Sequence, residues 1–170
     1  MIKLVYRKSF ISFSFTFAGM VKEDYVKLKK KFPSLPEFDE LDSEFDLCKI
    51  ENSDHLLKKI VVRMSEVLEK IIDNLESVLQ PDANSFIELY ECKAFDEKEL
   101  QDVVDVFRKL MFCFHSLQEA ELDSSKRVET ISSVFDIWVS LKKKLVFVLS
   151  KQKECWEKPF EKDEIVGYLG

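Results

Sequence analysis

Glycine and proline are almost absent from this sequence. No glycine occurs from Met20 to Val166, and no proline occurs between Asp82 and Lys158. Glycine supplies the left-handed backbone angles of tight turns, and proline fixes or interrupts an element, so a chain without them turns mainly at helix ends. The shortage excludes a fold with many tight turns. It predicts an all-α antiparallel bundle of three long helices plus one or two short helices.

Residues that commonly hold metals or carry out acid–base catalysis are also scarce. Only two histidines occur, His55 and His115. Zinc ribbons and redox motifs need two thiols close together, and the four cysteines include no close pair, lying at positions 48, 92, 113 and 155. No glycine-rich loop is available in the body to hold a phosphate. We therefore expect no metal and no cofactor, and the scattered thiols favour a reducing, cytoplasmic location.

Charge is unevenly distributed along the chain. The net charge is −6, but residues 1–31 carry eight basic and two acidic residues, a local +6, and the remainder carries 18 basic and 30 acidic residues, which is −12. Nucleic-acid-binding surfaces are basic, so the acidic body disfavours a nucleic acid as partner. We expect the basic arm at 20–34 to be solvated or to lie on the acidic body. The alternative is contact with a nucleic acid or an anionic membrane.

Residues 1–19 have a different pattern from the rest. From Ser9 to Gly19, apolar and hydroxyl side chains alternate, which is the period of a β-strand. Three interpretations stay open: a non-native extension before a start at Met20, a secretory signal that would make the protein secreted, or a real strand. The segment is too short to span a bilayer, and we expect no transmembrane segment.

Residues 35–158 are expected to form the helical domain, and 159–170 a C-terminal tail. Polar cap residues and prolines mark the ends of predicted helices at 53–80, 84–94, 97–119 and 125–156. Asp96 and Glu99 are spaced as in a capping box. Apolar residues recur every three or four positions along the long helices. The stripes are Leu57, Ile60, Met64, Val67, Ile71, Leu75 and Val78; Leu100, Val103, Phe107, Leu110, Phe114 and Leu117; and Val128, Ile131, Phe135, Trp138, Leu141, Leu145, Val148 or Leu149, and Trp156.

The acidic segment at 35–47 has an apolar stripe of its own. Phe38, Leu41 and Phe45 fall at helical spacing among many carboxylates. One interpretation is a short helix that lays these three side chains on the bundle. The other is an exposed docking peptide that binds a groove on a partner protein.

Arg108 and His115 are the one pair that suggests chemistry. A separation of seven residues closes two helical turns, so both side chains leave the predicted helix from nearly one face. The spacing is similar to the Arg-x4–6-His motif of HEPN-type helical ribonucleases and toxin components. The resemblance implies a ribonuclease in which Arg108 positions a phosphodiester, His115 moves a proton, and a dimer assembles two sites.

The functional prediction rests mainly on absences. We expect a non-catalytic, cytoplasmic interaction protein that binds another protein or its own copy, through Phe38, Leu41 and Phe45 or through an exposed face of the bundle. The first alternative is the HEPN-like ribonuclease, and the second is a carrier of a small apolar ligand. An exposed apolar patch on a packed interior would favour the interaction protein, whereas an interior void above roughly 300 Å³ would favour the carrier.

Overall fold

The structure, a computed structural model, describes residues 20–157. The predictions for residues 1–19 and for the tail at 159–170 lie outside the described residues. Within the described part the chain forms six helices and no strand, so the predicted all-α fold class with three long helices is confirmed. A short 3-10 turn, Leu47–Lys49, follows the second helix. The helices are α1 at 20–31, α2 at Phe38–Phe45, α3 at Leu56–Leu79, α4 at Phe86–Cys92, α5 at Glu97–Leu122 and α6 at Arg127–Glu157.

The chain divides into two compact units. Among the described residues, unit 1 comprises 20–68 and 113–136, and unit 2 comprises 69–112 and 137–157. Helices α1 and α2 belong to unit 1, and α4 belongs to unit 2. The long helices α3, α5 and α6 each contribute one segment to either unit.

In unit 1 the described part of the basic arm lies on the acidic helix α2. The Tyr25 hydroxyl donates a hydrogen bond to the carbonyl oxygen of Pro36 at 2.9 Å, and its ring meets the ring of Phe38 edge-on at 5.4 Å between centroids. Lys22 Nζ lies 2.6 Å from an Asp39 carboxylate oxygen, and Lys29 Nζ lies 3.0 Å from Glu37. Lys22 and Lys29 of α1 therefore pair with carboxylates of their own unit.

The turn after α2 is made by a residue other than glycine. Asp46 caps α2 with left-handed backbone angles, φ 51° and ψ 49°, which are unfavourable for a residue with a Cβ atom. Arg63 of α3 donates from Nε to the carbonyl oxygen of Phe45 at 2.9 Å and from Nη2 to the Asp46 carboxylate at 3.1 Å. Its Nη1 donates to Glu66 at 2.7 Å. The Arg63 side chain is only 18% exposed, so its hydrogen bonds to Phe45 and Asp46 are partly shielded from water, whereas the one to Glu66 is exposed.

In unit 2 ion pairs fix the relative direction of α5 and α6. Glu99 lies 2.7 Å from Lys151, and Asp102 lies 2.8 Å from Lys144. Because the partner number falls as the α5 number rises, the two helical segments run antiparallel. The predicted capping box is present: the Asp96 amide donates to Glu99 Oε2 at 2.9 Å, and the Glu99 amide donates to Asp96 Oδ1 at 2.8 Å.

The buried stripes differ in detail from those predicted. Leu57, Val67 and Ile71 of α3 are only half-buried, because the neighbouring Leu56, Leu68 and Ile72 take the interior positions. On α5 the large Phe107 and Phe114 are likewise half-buried. The smaller Val106, Cys113 and Ala120 complete the buried set of that helix together with Val103, Leu110 and Leu117. Leu100 is also half-buried, and on α6 both Leu149 and Trp156 are exposed.

We predict that Arg63→Ala lowers the free energy of unfolding by about 2 kcal/mol, because shielded hydrogen bonds to and from charged groups are lost. Chemical denaturation followed by circular dichroism measures the change. Lys49→Ala is the matched control, since Lys49 pairs with the same Asp46 carboxylate at 2.6 Å but is largely exposed. We expect the control to cost less than about 0.5 kcal/mol. Equal effects of the two substitutions would contradict a special role for Arg63.

Candidate protein-binding surface

The structure brings the predicted docking residues together, but in an interior. Phe38, Leu41 and Phe45 are all buried in unit 1. Their place agrees with the interpretation in which the segment lays its apolar stripe on the helices. Partner binding by these three residues stays a prediction, and it would require α2 to leave its place in unit 1 and to give up the ring contact between Phe38 and Tyr25.

Arg108 and His115 lie in different units. Arg108, in unit 2, has a side chain that is 77% exposed, and its Nη1 lies 3.9 Å from Asp105 Oδ1. His115, in unit 1, is exposed, and its Nδ1 lies 2.9 Å from Gln118 Oε1. Nearby Cys113 is buried, and burial raises the pKa of its thiol to about 11, which keeps it protonated and poorly nucleophilic. No contact described here joins Arg108 to His115, and the ribonuclease hypothesis stays a prediction.

Neither a metal site nor a membrane span is found in the described part of the chain. Residues 20–157 contain no group of three or more His, Cys, Asp or Glu side chains that could hold a metal ion. None of the helices in that range combines the length and the apolar character that are needed to cross a bilayer. All four cysteines are free thiols.

The most distinctive surface of unit 2 lies on α6. Five large apolar side chains of this helix are exposed, and four of them lie in its middle: Val139 is 49% exposed, Val146 55%, Phe147 45% and Leu149 48%. The fifth, Trp156, donates from its ring nitrogen to Glu91. Val139 and Val146 are seven residues apart and Leu149 follows three residues later, so the three share one side of the helix. Exposed lysines accompany them. We call this surface the α6 face and define it by Val139, Lys142, Lys143, Val146, Phe147, Leu149 and Lys153.

The α6 face is basic as well as apolar. Between Asp136 and Glu154 the chain carries no carboxylate but five lysines, at 142, 143, 144, 151 and 153. Lys144 and Lys151 pair with α5, as described above. Lys143 has no ion-pair partner among residues 20–157, and Lys153 pairs only with exposed Glu157 of its own helix, at 3.3 Å. Of the lysines on this helix, Lys143 is therefore the one whose ammonium group forms no ion pair within residues 20–157.

The α6 face borders an open groove between α5 and α6. The groove has a volume of about 270 Å³ and is lined by Val103 and Val106 of α5 and by Phe147 and Val148 of α6. Glu99, Asp102, Lys143 and Lys144 form its charged rim. Lys151 Nζ lies 5.7 Å from the centre of the Phe147 ring, which is within the range of a cation–π contact. Apolar and charged groups of unit 2 thus continue from the face into the groove.

Sequence reasoning missed this surface. The predicted stripe of α6 gives Val148 and Leu149 as alternatives for one buried position. It includes none of Val139, Val146 and Phe147, and no role is predicted for them. A signal was present, because residues 145–149 are all apolar and a single buried side of a helix accommodates only some of five successive positions. The remaining ones had to point to solvent.

A comparison with protein-family models, curated proteins and solved structures found none that matches this chain.

We predict that Lys151→Ala raises the pKa of Glu99. The hydrogen bond from Lys151, followed by the one from the Asp96 amide, holds the pKa of the Glu99 carboxyl below its ordinary value. A lowered pKa in the folded state stabilises the fold above the unfolded-state pKa, and this contribution is lost as pH falls through the folded-state pKa. The variant should therefore lose less stability on acidification than the wild-type protein.

NMR titration of the side-chain carboxyl carbons measures this pKa. Lys153→Ala is the control, because Lys153 pairs with Glu157 and leaves Glu99 untouched. An unchanged Glu99 pKa in the Lys151→Ala variant would contradict the ion pair that links α5 and α6 in unit 2.

Proposed function

We propose that this protein is a non-catalytic interaction protein that binds another protein through the α6 face. The observation that supports the proposal most directly is the solvent exposure of Val139, Val146, Phe147 and Leu149 on one helix. Single exposed apolar residues are common on protein surfaces, whereas several on one short helical segment with a polar border are typical of an interaction site. The four free cysteines support a reducing compartment, and we place the protein in the cytoplasm.

The packing of unit 2 supports a rigid surface. Leu141, Leu145 and Val148 are buried on the opposite side of the same helical segment, so the exposed residues are held on a fixed backbone. Tyr90 of α4 donates its hydroxyl hydrogen to the carbonyl oxygen of Cys155 at 2.9 Å, which holds the far end of α6. A preformed surface loses little conformational entropy when a partner binds.

The apolar residues alone would give weak binding. Covering four half-exposed side chains contributes about 1 kcal/mol each. That total is only comparable with the low end of the cost of association, roughly 4–15 kcal/mol. Further contacts must therefore contribute, and Lys143 and the adjoining groove lie beside the exposed side chains.

The other two candidates lack such support. A ribonuclease would need Arg108 and His115 to act on one phosphodiester, whereas each has its own neighbour in its own unit. A carrier would need an enclosed apolar cavity, whereas the groove beside Phe147 is open to solvent. Both stay predictions.

We predict that a photo-reactive benzoylphenylalanine in place of Val146 or Leu149 forms a covalent adduct with one discrete protein in native extract. Gel mobility and mass spectrometry measure the adduct. The matched control carries the same group in place of Ile87, which is 57% exposed on α4 of the same unit. Adduct formation should fall at least about tenfold when unlabelled wild-type protein competes.

The double variant Val146→Ser, Leu149→Ser separates binding from folding. Both residues are exposed, so the free energy of unfolding should change by less than about 0.5 kcal/mol. The same variant should not compete for the adduct. No adduct at either position, or an equal adduct from the Ile87 control, would contradict the proposal.

A further inference from the structure

We infer that unit 1 contains a binding site for a small organic phosphate. The site is an open cavity between α1, the start of α3 and the start of α6, with a volume of about 510 Å³. Small-molecule sites in proteins commonly have volumes of this order. We call it the basic cavity and define it by its four cationic residues, Lys27, Lys31, Lys58 and Arg127. The inference goes beyond the proposed function, because the α6 face belongs to unit 2.

The lining of the basic cavity reverses the charge balance of the chain. The whole sequence has 32 acidic and 26 basic residues. The cavity, by contrast, is lined by four lysine or arginine residues and, among residues 20–157, by one carboxylate, that of Asp24. Lys27 already neutralises this carboxylate, since its Nζ lies 2.6 Å from Asp24 Oδ1. Three cations therefore line one cavity without a carboxylate to balance them there, and their mutual repulsion would be relieved by a bound anion.

Arg127 is oriented but not neutralised. Its Nε donates to the carbonyl oxygen of Ala120 at 3.1 Å, and its Nη2 donates to that of Glu121 at 3.2 Å. Carbonyl groups at a helix end carry only partial negative charge, so the guanidinium keeps most of its positive charge. Its Nη1 donates no hydrogen bond to any group within residues 20–157. A guanidinium that is fixed on one side and open on the other is well suited to bind a phosphate oxygen.

The two exposed lysines of the cavity also have weak contacts of their own. Lys31 Nζ lies 5.3 Å from the centre of the Phe32 ring and forms no ion pair within residues 20–157. Lys58 Nζ lies 3.9 Å from Glu121 Oε1, at the outer limit of an ion pair, and both side chains are more than 40% exposed. Exposed pairs of this kind contribute little free energy, so an anion with more than one charge can compete for these ammonium groups.

The chemistry of the lining favours phosphate over carboxylate. A phosphate monoester carries close to two negative charges near neutral pH and has three acceptor oxygens. It can therefore meet Lys31, Lys58 and Arg127 together, whereas a carboxylate has one charge and two oxygens. Apolar groups line the same cavity, from Leu28 of α1 and Leu57 of α3. They would contact the organic part of the ligand, which inorganic phosphate lacks.

The surroundings favour a small ligand over a nucleic acid. A nucleic acid would extend beyond the cavity along the rest of the chain, where residues 32–170 carry 18 basic and 30 acidic residues. Excess carboxylates repel a long polyanion, because its phosphates need basic groups along their whole path. A ligand that fits within the basic cavity avoids this repulsion.

The test measures binding of phenyl phosphate to the full chain by titration of the backbone amide signals in NMR spectra. Inorganic phosphate has no apolar part, and phenylacetate has the ring but a carboxylate in place of the phosphate. We expect phenyl phosphate to bind with a Kd below about 1 mM and at least about tenfold more tightly than either of the other two. The signals that shift should lie at 24–31 and 53–58.

Substitution of the exposed lysines locates the site. The double variant Lys31→Gln, Lys58→Gln should bind phenyl phosphate at least about tenfold more weakly. The matched control is Lys30→Gln, Lys70→Gln, which makes the same change in net charge at exposed lysines of α1 and α3 that do not line the cavity. The control should change the affinity less than about threefold. Both variants should keep the free energy of unfolding within about 0.5 kcal/mol of the wild-type value, which chemical denaturation checks.

Several outcomes would overturn the inference. Equal binding of phenylacetate, or equal effects of the two double variants, would show that only net charge matters. Equal binding of inorganic phosphate would assign the cavity to the free ion and remove the role of the leucines. A single-stranded RNA of ten uridines that binds more tightly than phenyl phosphate, and loses affinity in the Lys31 and Lys58 variant, would assign it to nucleic acid. No shift with any probe would leave no site. Each of these results leaves the proposed function of the α6 face standing.

Discussion

Every reversal of the described chain has to be made without glycine, and the arrangement of its helices depends on how that is done. Left-handed backbone angles cost a residue with a Cβ atom roughly 1–2 kcal/mol, yet Asp46 and His55 both adopt them, with φ of 51° and 54°. At Asp46, Arg63 offsets the cost because it binds both the preceding carbonyl and the aspartate itself. A turn residue thereby becomes an attachment of α2 to α3 in unit 1.

Two later turns rely on short polar side chains. The Asn84 amide donates to Asp82 Oδ1 at 2.9 Å, and the Ser125 amide and hydroxyl both donate to Asp123 Oδ1, at 2.9 and 2.7 Å. The hydrogen bonds from Ser125 also hold the pKa of Asp123 below its ordinary value. These local bonds satisfy amides that a helix start would otherwise leave unpaired. Satisfied amides stabilise these helix starts, so the helices that follow begin at defined residues.

Local features of the fold could be predicted from the sequence, because they depend on neighbouring residues. The spans of the long helices and the reciprocal bonds of Asp96 and Glu99 belong to this class. The choice between adjacent apolar residues could not be predicted. Leu56 and Leu57, or Val148 and Leu149, differ by only 100° around a helix, and the packing partner decides which one is buried. The candidate surface consists of apolar residues that stay exposed because a neighbouring residue is buried instead. It could therefore be identified only from the tertiary structure.

The same lysines explain how the α6 face can exist on a free protein. Apolar residues on an exposed helix invite association with other copies, and charges beside them are the usual protection against it. On α6 the protection is unusually uniform, since no carboxylate lies between Asp136 and Glu154. When two copies of the face meet, lysines of the same sign approach each other, and this repulsion disfavours pairing of the face with a copy of itself. The charge pattern beside the exposed apolar residues thus disfavours self-association of the face.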